Sequence, residues 1–168
     1  MARKHLAAIG LGVVLLAPPA VHALPAWQQD RGPDSLELFK RETDPVRKAK
    51  LLPHLGEQQL DEIERLAETG DFVDSGKLLE EYRDEVKNTF KDLKATGVDP
   101  EKKPNGFKEL QIHLRRALRE IDDVIRKVPE GPRVPFQVAR QDVVQVNKEL
   151  IDLLFPTHPD KPPKKHQE

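Results

Sequence analysis

Phe107, Leu110, Leu114, Ala117, Ile121, Val124 and Val128 follow one another at steps of three or four residues. Such a run gathers on one stripe of an α-helix, where 3.6 residues complete a turn; a strand would scatter it over both faces. Residues 135–155 repeat the pattern with Phe136, Ala139, Val143, Val146, Leu150 and Leu153. Two earlier segments carry related stripes. One holds Ala49, Leu52, Gly56, Gln59, Ile63 and Leu66, widened by Leu55, Leu60 and Ala67, and the other holds Leu79, Tyr82, Val86, Phe90 and Leu93. No segment sustains the period of two that marks a half-buried strand.

Punctuation between the stripes sets the element boundaries. A short helix is expected over 34–41, capped by Asp34 or Ser35, with Leu36 and Phe39 turned inward. Asp44-Pro45 opens the second helix as a cap followed by proline at the first helical position, and Gly70 ends it. Pro53 lies inside this segment and removes a backbone donor, so a kink or break is expected near His54. The third helix starts at Asp71 or Asp74 and ends at Gly97. Residues 97–104 form the main internal linker, the fourth helix covers about 105–127, and residues 129–132 separate it from the fifth. Stripes of this kind on helices of about 20 residues favour shallow crossing angles. The expected fold is all-α: an antiparallel four-helix bundle over 34–155 with a short extra N-terminal helix. Two helical hairpins hinged at 97–104 are the alternative.

The chain ends read differently. Arg3 and Lys4 precede an uncharged, mostly apolar run over 6–17, then Pro18-Pro19 and Val21-His22-Ala23. This order reads as a secretory signal over 1–23 with cleavage after Ala23. Its apolar run falls short of the roughly 18–20 residues that cross a bilayer. Residues 24–33 are expected to form a flexible lead-in, and 156–168 a disordered Pro- and Lys-rich tail. Removing Arg3 and Lys4 takes the net charge from −1 to −3, and no cysteine is present. An exported domain without disulfides holds itself together by its core, which fits a bacterial periplasm or exterior.

Asp44-Pro45, Lys48-Ala49, Leu55, Gln59-Leu60, Glu62, Leu66, Gly70-Asp71, Leu78 and Tyr82 resemble a family of uncharacterised bacterial exported helical domains. In that family similar residues build a pair of helices behind a signal or membrane segment. The resemblance spans residues 44–86 and departs from the family at Pro53. It implies export and helices, and it transfers no activity or site.

The sequence excludes much chemistry. With no cysteine and Met1 as its single methionine, the mature chain offers no thiolate nucleophile, zinc-thiolate site or sulfur-ligated haem. Glu-x-x-His repeats of di-metal bundles are missing. Glu109 and His113, four residues apart, read as an exposed polar pair, and a bis-His site from His54 and His113 would require two helices to align. Ser35 and Ser75 sit at helix starts as caps, outside any Gly-x-Ser-x-Gly turn. Glu80, Glu81, Asp84 and Glu85 alternate with Lys77, Arg83 and Lys87 as a solvated, salt-bridged face. No Gly-rich phosphate loop occurs. No catalytic, cofactor-binding or metal residue is therefore assigned, and no cofactor is expected. The near-balanced charge gives no global bias towards nucleic acid.

Arg115, Arg116 and Arg119 cluster on the fourth helix, and Lys161, Lys164 and Lys165 follow in the tail, as a candidate partner-contact patch. Leu51, Leu78, Ile112 and Ile151 are apolar residues beyond the core stripes. The expected function is non-enzymatic: an exported helical module acting on another envelope or secreted protein, or on itself. A small-ligand or metal-binding bundle is the alternative.

Overall fold

The Asp44 carboxylate accepts the Arg47 N–H at 2.8 Å, and Pro45 follows as the first residue of a 24-residue helix. The computed structural model describes residues 35–157, which form five helices. They are α1 (Ser35–Arg41), α2 (Pro45–Glu68), α3 (Phe72–Ala95), α4 (Phe107–Lys127) and α5 (Arg133–Leu154). The stretches read as a secretory signal (1–23) and a lead-in (24–33), and the tail lysines Lys161, Lys164 and Lys165, lie outside the described residues.

The starts of α3 and α4, like that of α2, use local devices. Asp71 caps α3 by accepting the Asp74 N–H at 3.2 Å. Ser75 is not the cap: it is buried, and its hydroxyl donates to the Ile63 carbonyl at 2.9 Å, tying α3 to α2. Gly106 precedes α4 at φ 84°, where glycine alone escapes Cβ strain. Its N–H donates to the Glu109 carboxylate at 2.7 Å. A Cβ on Gly106 would lie 2.9 Å from Leu93 and 3.4 Å from the Val46 backbone, so the linker is pinned against the ends of α2 and α3.

No break occurs at Pro53: α2 is continuous through it. Proline leaves only the Ala49 carbonyl without its intrahelical donor, and the residues around it, Ala49, Leu52, Leu55 and Gly56, are buried on one face. Burial of that face carries the helix past its weakest position.

Around the bundle the helices run in the order α2, α3, α5, α4, with α1 laid on α2. The hairpins α2–α3 and α4–α5 are antiparallel, but they stand side by side with like directions adjacent. Arg116 of α4 pairs with Glu57 of α2 at 2.7 Å, and Lys127 with Glu64 and Glu68 at 2.6 Å. Numbers rise together along this seam, so α2 and α4 are parallel. Lys87–Asp142 and Lys94–Glu149, each 3.0 Å, show the same for α3 and α5. The linker before α4 therefore crosses a diagonal of the bundle. All four long helices feed one continuous core that includes Leu52, Ile63, Tyr82, Leu93, Leu114, Ile121, Phe136 and Leu150, so the hairpins are not separate units. Leu51 and Leu78 pack on its margin, whereas Ile112 and Ile151 stay exposed.

Replacing Pro53 by alanine restores a backbone donor on a half-buried position. Helix-interior proline costs about 3 kcal/mol relative to alanine, and the freer unfolded chain takes back about 1 kcal/mol. Pro53→Ala is expected to raise stability by about 2 kcal/mol in urea unfolding. A lower midpoint would mean that contacts of the proline ring outweigh the missing hydrogen bond.

Candidate functional site

Gly56 sits in the buried stripe of α2, and it leaves a gap there that two side chains fill. The His113 imidazole reaches across from α4 and the Tyr82 phenol from α3. A Cβ on Gly56 would meet His113 Nε2 at 2.5 Å, His113 Cε1 at 2.8 Å and Tyr82 Cε2 at 2.9 Å. The two rings meet edge to face, centroids 5.9 Å apart and planes at 71°, a favoured aromatic arrangement. Tyr82 Oη lies 3.0 Å from His113 Nε2. Three helices thus share one polar contact inside the core.

His113 is 5% exposed, which corrects its reading as half of an exposed pair with Glu109. Glu109 instead folds back onto the Gly106 N–H. His54 is exposed, 3.4 Å from Gln58 Nε2, so the two histidines do not share a site. Burial, with the nearby Arg116 charge, lowers the His113 pKa to about 4. Burial also holds the Tyr82 phenol well above its ordinary value, reinforced by Glu120 and Glu85. At neutral pH both partners are uncharged, and the consistent assignment has Tyr82 donating to an unprotonated Nε2.

Other polar groups are wholly or partly buried in the bundle. Gln59, one turn along α2, donates to the Glu85 carboxylate of α3 at 2.9 Å. Burial raises the Glu85 pKa, opposed by that bond, so Glu85 departs from the solvated face expected for its neighbours. Of that face only Arg83 and Asp84 pair with each other among the described residues, at 3.0 Å, while Lys77 pairs with Asp74 at 2.8 Å and Lys87 with Asp142 of α5 at 3.0 Å. Burial also raises Glu120, with Asp61 adding like charge. Gln59 Oε1, Thr89 Oγ1 and Asn147 Oδ1 are buried without a hydrogen-bond partner among the described residues. Among those residues no three His, Cys, Asp or Glu groups stand together to hold a metal ion, and no helix is long and apolar enough to cross a membrane.

The candidate contact patch divides. Arg116 is drawn round to Glu57 of α2, while Arg115 and Arg119 are exposed and make no ion pair among the described residues. Ile112 lies on the same side of α4, three residues before Arg115. The stripe that counts only apolar residues passes over His113; Gly56 within a buried stripe, opposite a tyrosine that needs a partner, is the signal that could have found it. No family model, curated protein or solved structure matches this chain.

The contact has two measurable consequences. Alanine in place of glycine on a helix normally stabilises by about 0.5–1 kcal/mol, but at Gly56 the added methyl overpacks against His113. Gly56→Ala is expected to destabilise by about 1–3 kcal/mol. The double variant with His113→Ala should regain part of that loss in a double-mutant cycle, and simple additivity would dismiss the steric account.

The second consequence is acid sensitivity. Between pH 6.5 and about 4 the unfolded chain takes up a proton at His113 that the folded chain refuses. Stability therefore falls with pH in that window, by roughly 3 kcal/mol. Glu85 and Glu120, whose folded pKa values are raised, act with the opposite sign, gaining stability as pH falls through their folded values. Urea midpoints from pH 7 to 4 should drop for the natural chain and stay flatter in His113→Gln. Equal slopes in both would remove His113 as the cause.

Proposed function

We propose that the protein is an exported, non-enzymatic helical module that acts by contact with another protein of the cell envelope. The observation that supports this reading is a division of labour. The strongly perturbed groups, His113 and Tyr82, are closed inside the core and bond each other. Accessible groups without partners among the described residues, Ile112, Arg115 and Arg119, sit outside on one helix. A catalytic base must reach substrate, and His113 is uncharged, bonded and buried. An exposed apolar residue among free cations is the composition of a contact surface. Export rests on the order of charge, apolar run and small residues over 1–23.

A photo-crosslinking residue placed at 112 or 155 in the native envelope should give discrete protein adducts. The same residue at Glu80, on the exposed side of α3, should give none. Absence of adducts from every surface position would overturn the contact-module reading.

A further inference from the structure

Two exposed rows lie on the outer wall of the α4–α5 hairpin. On α4 the row is Lys108, Ile112, Arg115 and Arg119, and on α5 it is Val144, Lys148, Ile151 and Phe155. Both rows step by four, three and four residues, so each forms a stripe about 16 Å long at 1.5 Å per residue. The Asp122–Arg140 pair sets the hairpin register, bringing Lys108 level with the end of α5 and Arg119 level with Val144. Ile112 is 46% exposed, Val144 37%, Ile151 40% and Phe155 71%. Leu118, packed half-buried against the core, lies on the α5 side of α4 between the rows. Asp122–Arg140 bridges the seam beyond Arg119 and bounds the groove there.

The charge on this wall is one-sided for a traceable reason. Lys108, Arg115, Arg119 and Lys148 make no ion pair among the described residues. All but one of the carboxylates of the same two helices are already engaged. Asp142 and Glu149 turn to Lys87 and Lys94 of α3. Glu109 caps Gly106, Asp122 holds Arg140, and Asp123 holds Arg126. Glu120 is half-buried beside the acidic groups of α2. Asp152 alone is left exposed without a partner among the described residues. A chain of net charge −1 thus presents a groove with cations along its α4 side and apolar side chains along its α5 side.

We propose that this groove receives an acidic amphipathic helix of a partner protein, its apolar stripe on Val144, Ile151 and Phe155 and its carboxylates over Lys108, Arg115 and Arg119. This deepens the contact-module reading and rests on it. Helix-in-groove recognition needs an apolar track with polar flanks that match in charge. Here the apolar groups are mainly on α5 and the free cations mainly on α4, an asymmetry that fixes which flank of the helix is acidic. A second copy of this chain would bring the same unpaired cations against these, which like-charge repulsion disfavours. A bilayer takes apolar side chains that stand out beyond the cations, whereas Val144 and Ile151 are more than half covered.

The test uses the full chain and a fluorescein-labelled 18-residue helical peptide with leucine on one face and glutamate on its flanks. A matched peptide carries lysine in place of glutamate. Anisotropy at low salt should show the acidic peptide binding at least tenfold more tightly than the basic one, weakening as salt shortens the screening length. Arg115→Glu with Arg119→Glu, and separately Phe155→Ser, should each weaken it at least tenfold, with circular dichroism confirming the fold. Lys91→Glu, on α3, should leave it within twofold. Equal binding of the two peptides, or indifference to the Arg115 and Arg119 reversals, overturns the proposal. So does concentration-dependent dimerisation abolished by those reversals, or their abolishing binding to phosphatidylglycerol vesicles that take up the chain more tightly than the peptide does. Adducts from 112 or 155 together with failed peptide binding would leave the contact module standing and reject the acidic helix; no adducts anywhere would reject both.

Discussion

The bundle depends on a missing methyl group. At Gly56 the backbone of α2 comes close enough to α4 and α3 for the His113 ring to reach Tyr82 without displacing either helix. Any side chain there would push the imidazole out and leave the Tyr82 hydroxyl buried and unbonded, which costs about 1–3 kcal/mol. The glycine, the histidine and the tyrosine are one unit drawn from three helices. Its hydrogen bond has direction, whereas the surrounding leucine and valine contacts do not. A core of apolar stripes alone tolerates sliding of one helix along another; this contact defines a register for α2, α3 and α4.

The same contact agrees with the less usual feature of the architecture. Helices that follow one another in the chain form antiparallel hairpins, yet the hairpins meet with parallel helices side by side. Parallel neighbours have no tight turn to align them, so their register comes from side chains. Glu57–Arg116 and the two glutamates on Lys127 do this for α2 and α4 at the surface, and His113 does it inside. Exposed ion pairs are each worth about 0–1 kcal/mol, so the seam draws most of its energy from the buried residues and its alignment from the charges. Pairing Asp142 and Glu149 of α5 with lysines of α3 also leaves the outer α4–α5 wall largely cationic. The surface character of that wall is a by-product of how the hairpins are joined.

Much of the fold was legible in residue order. Five helices follow from the apolar spacing and from Asp44-Pro45, Asp71 and Gly70, and their ends lie within about two residues of the expected boundaries. The α4 stripe is buried at every position from Phe107 to Val128. Pro53 misled because backbone propensity is local while burial of the α2 face is not. Ser75 misled because a hydroxyl near a helix start can equally reach a carbonyl of the neighbouring helix. The core contact was the least legible: Glu109 is the polar neighbour of His113 in sequence, whereas the histidine's partner is Tyr82, thirty-one residues away.

Residue order by itself determined that the chain makes helices, where each begins and ends, and which side of each is apolar, because those properties arise within a turn or two of backbone. It also determined the chemistry that is missing, since a chain without cysteine cannot acquire a thiolate by folding. Only the tertiary structure decided that the hairpins pack with parallel neighbours, that His113 is buried and uncharged, and that Arg116 is occupied while Arg115 and Arg119 have no ion-pair partner among the described residues. These depend on which helices become neighbours around the bundle. Amphipathic stripes of similar width fit together in several orders, and the choice is made by complementary shape and charge between residues far apart in the chain.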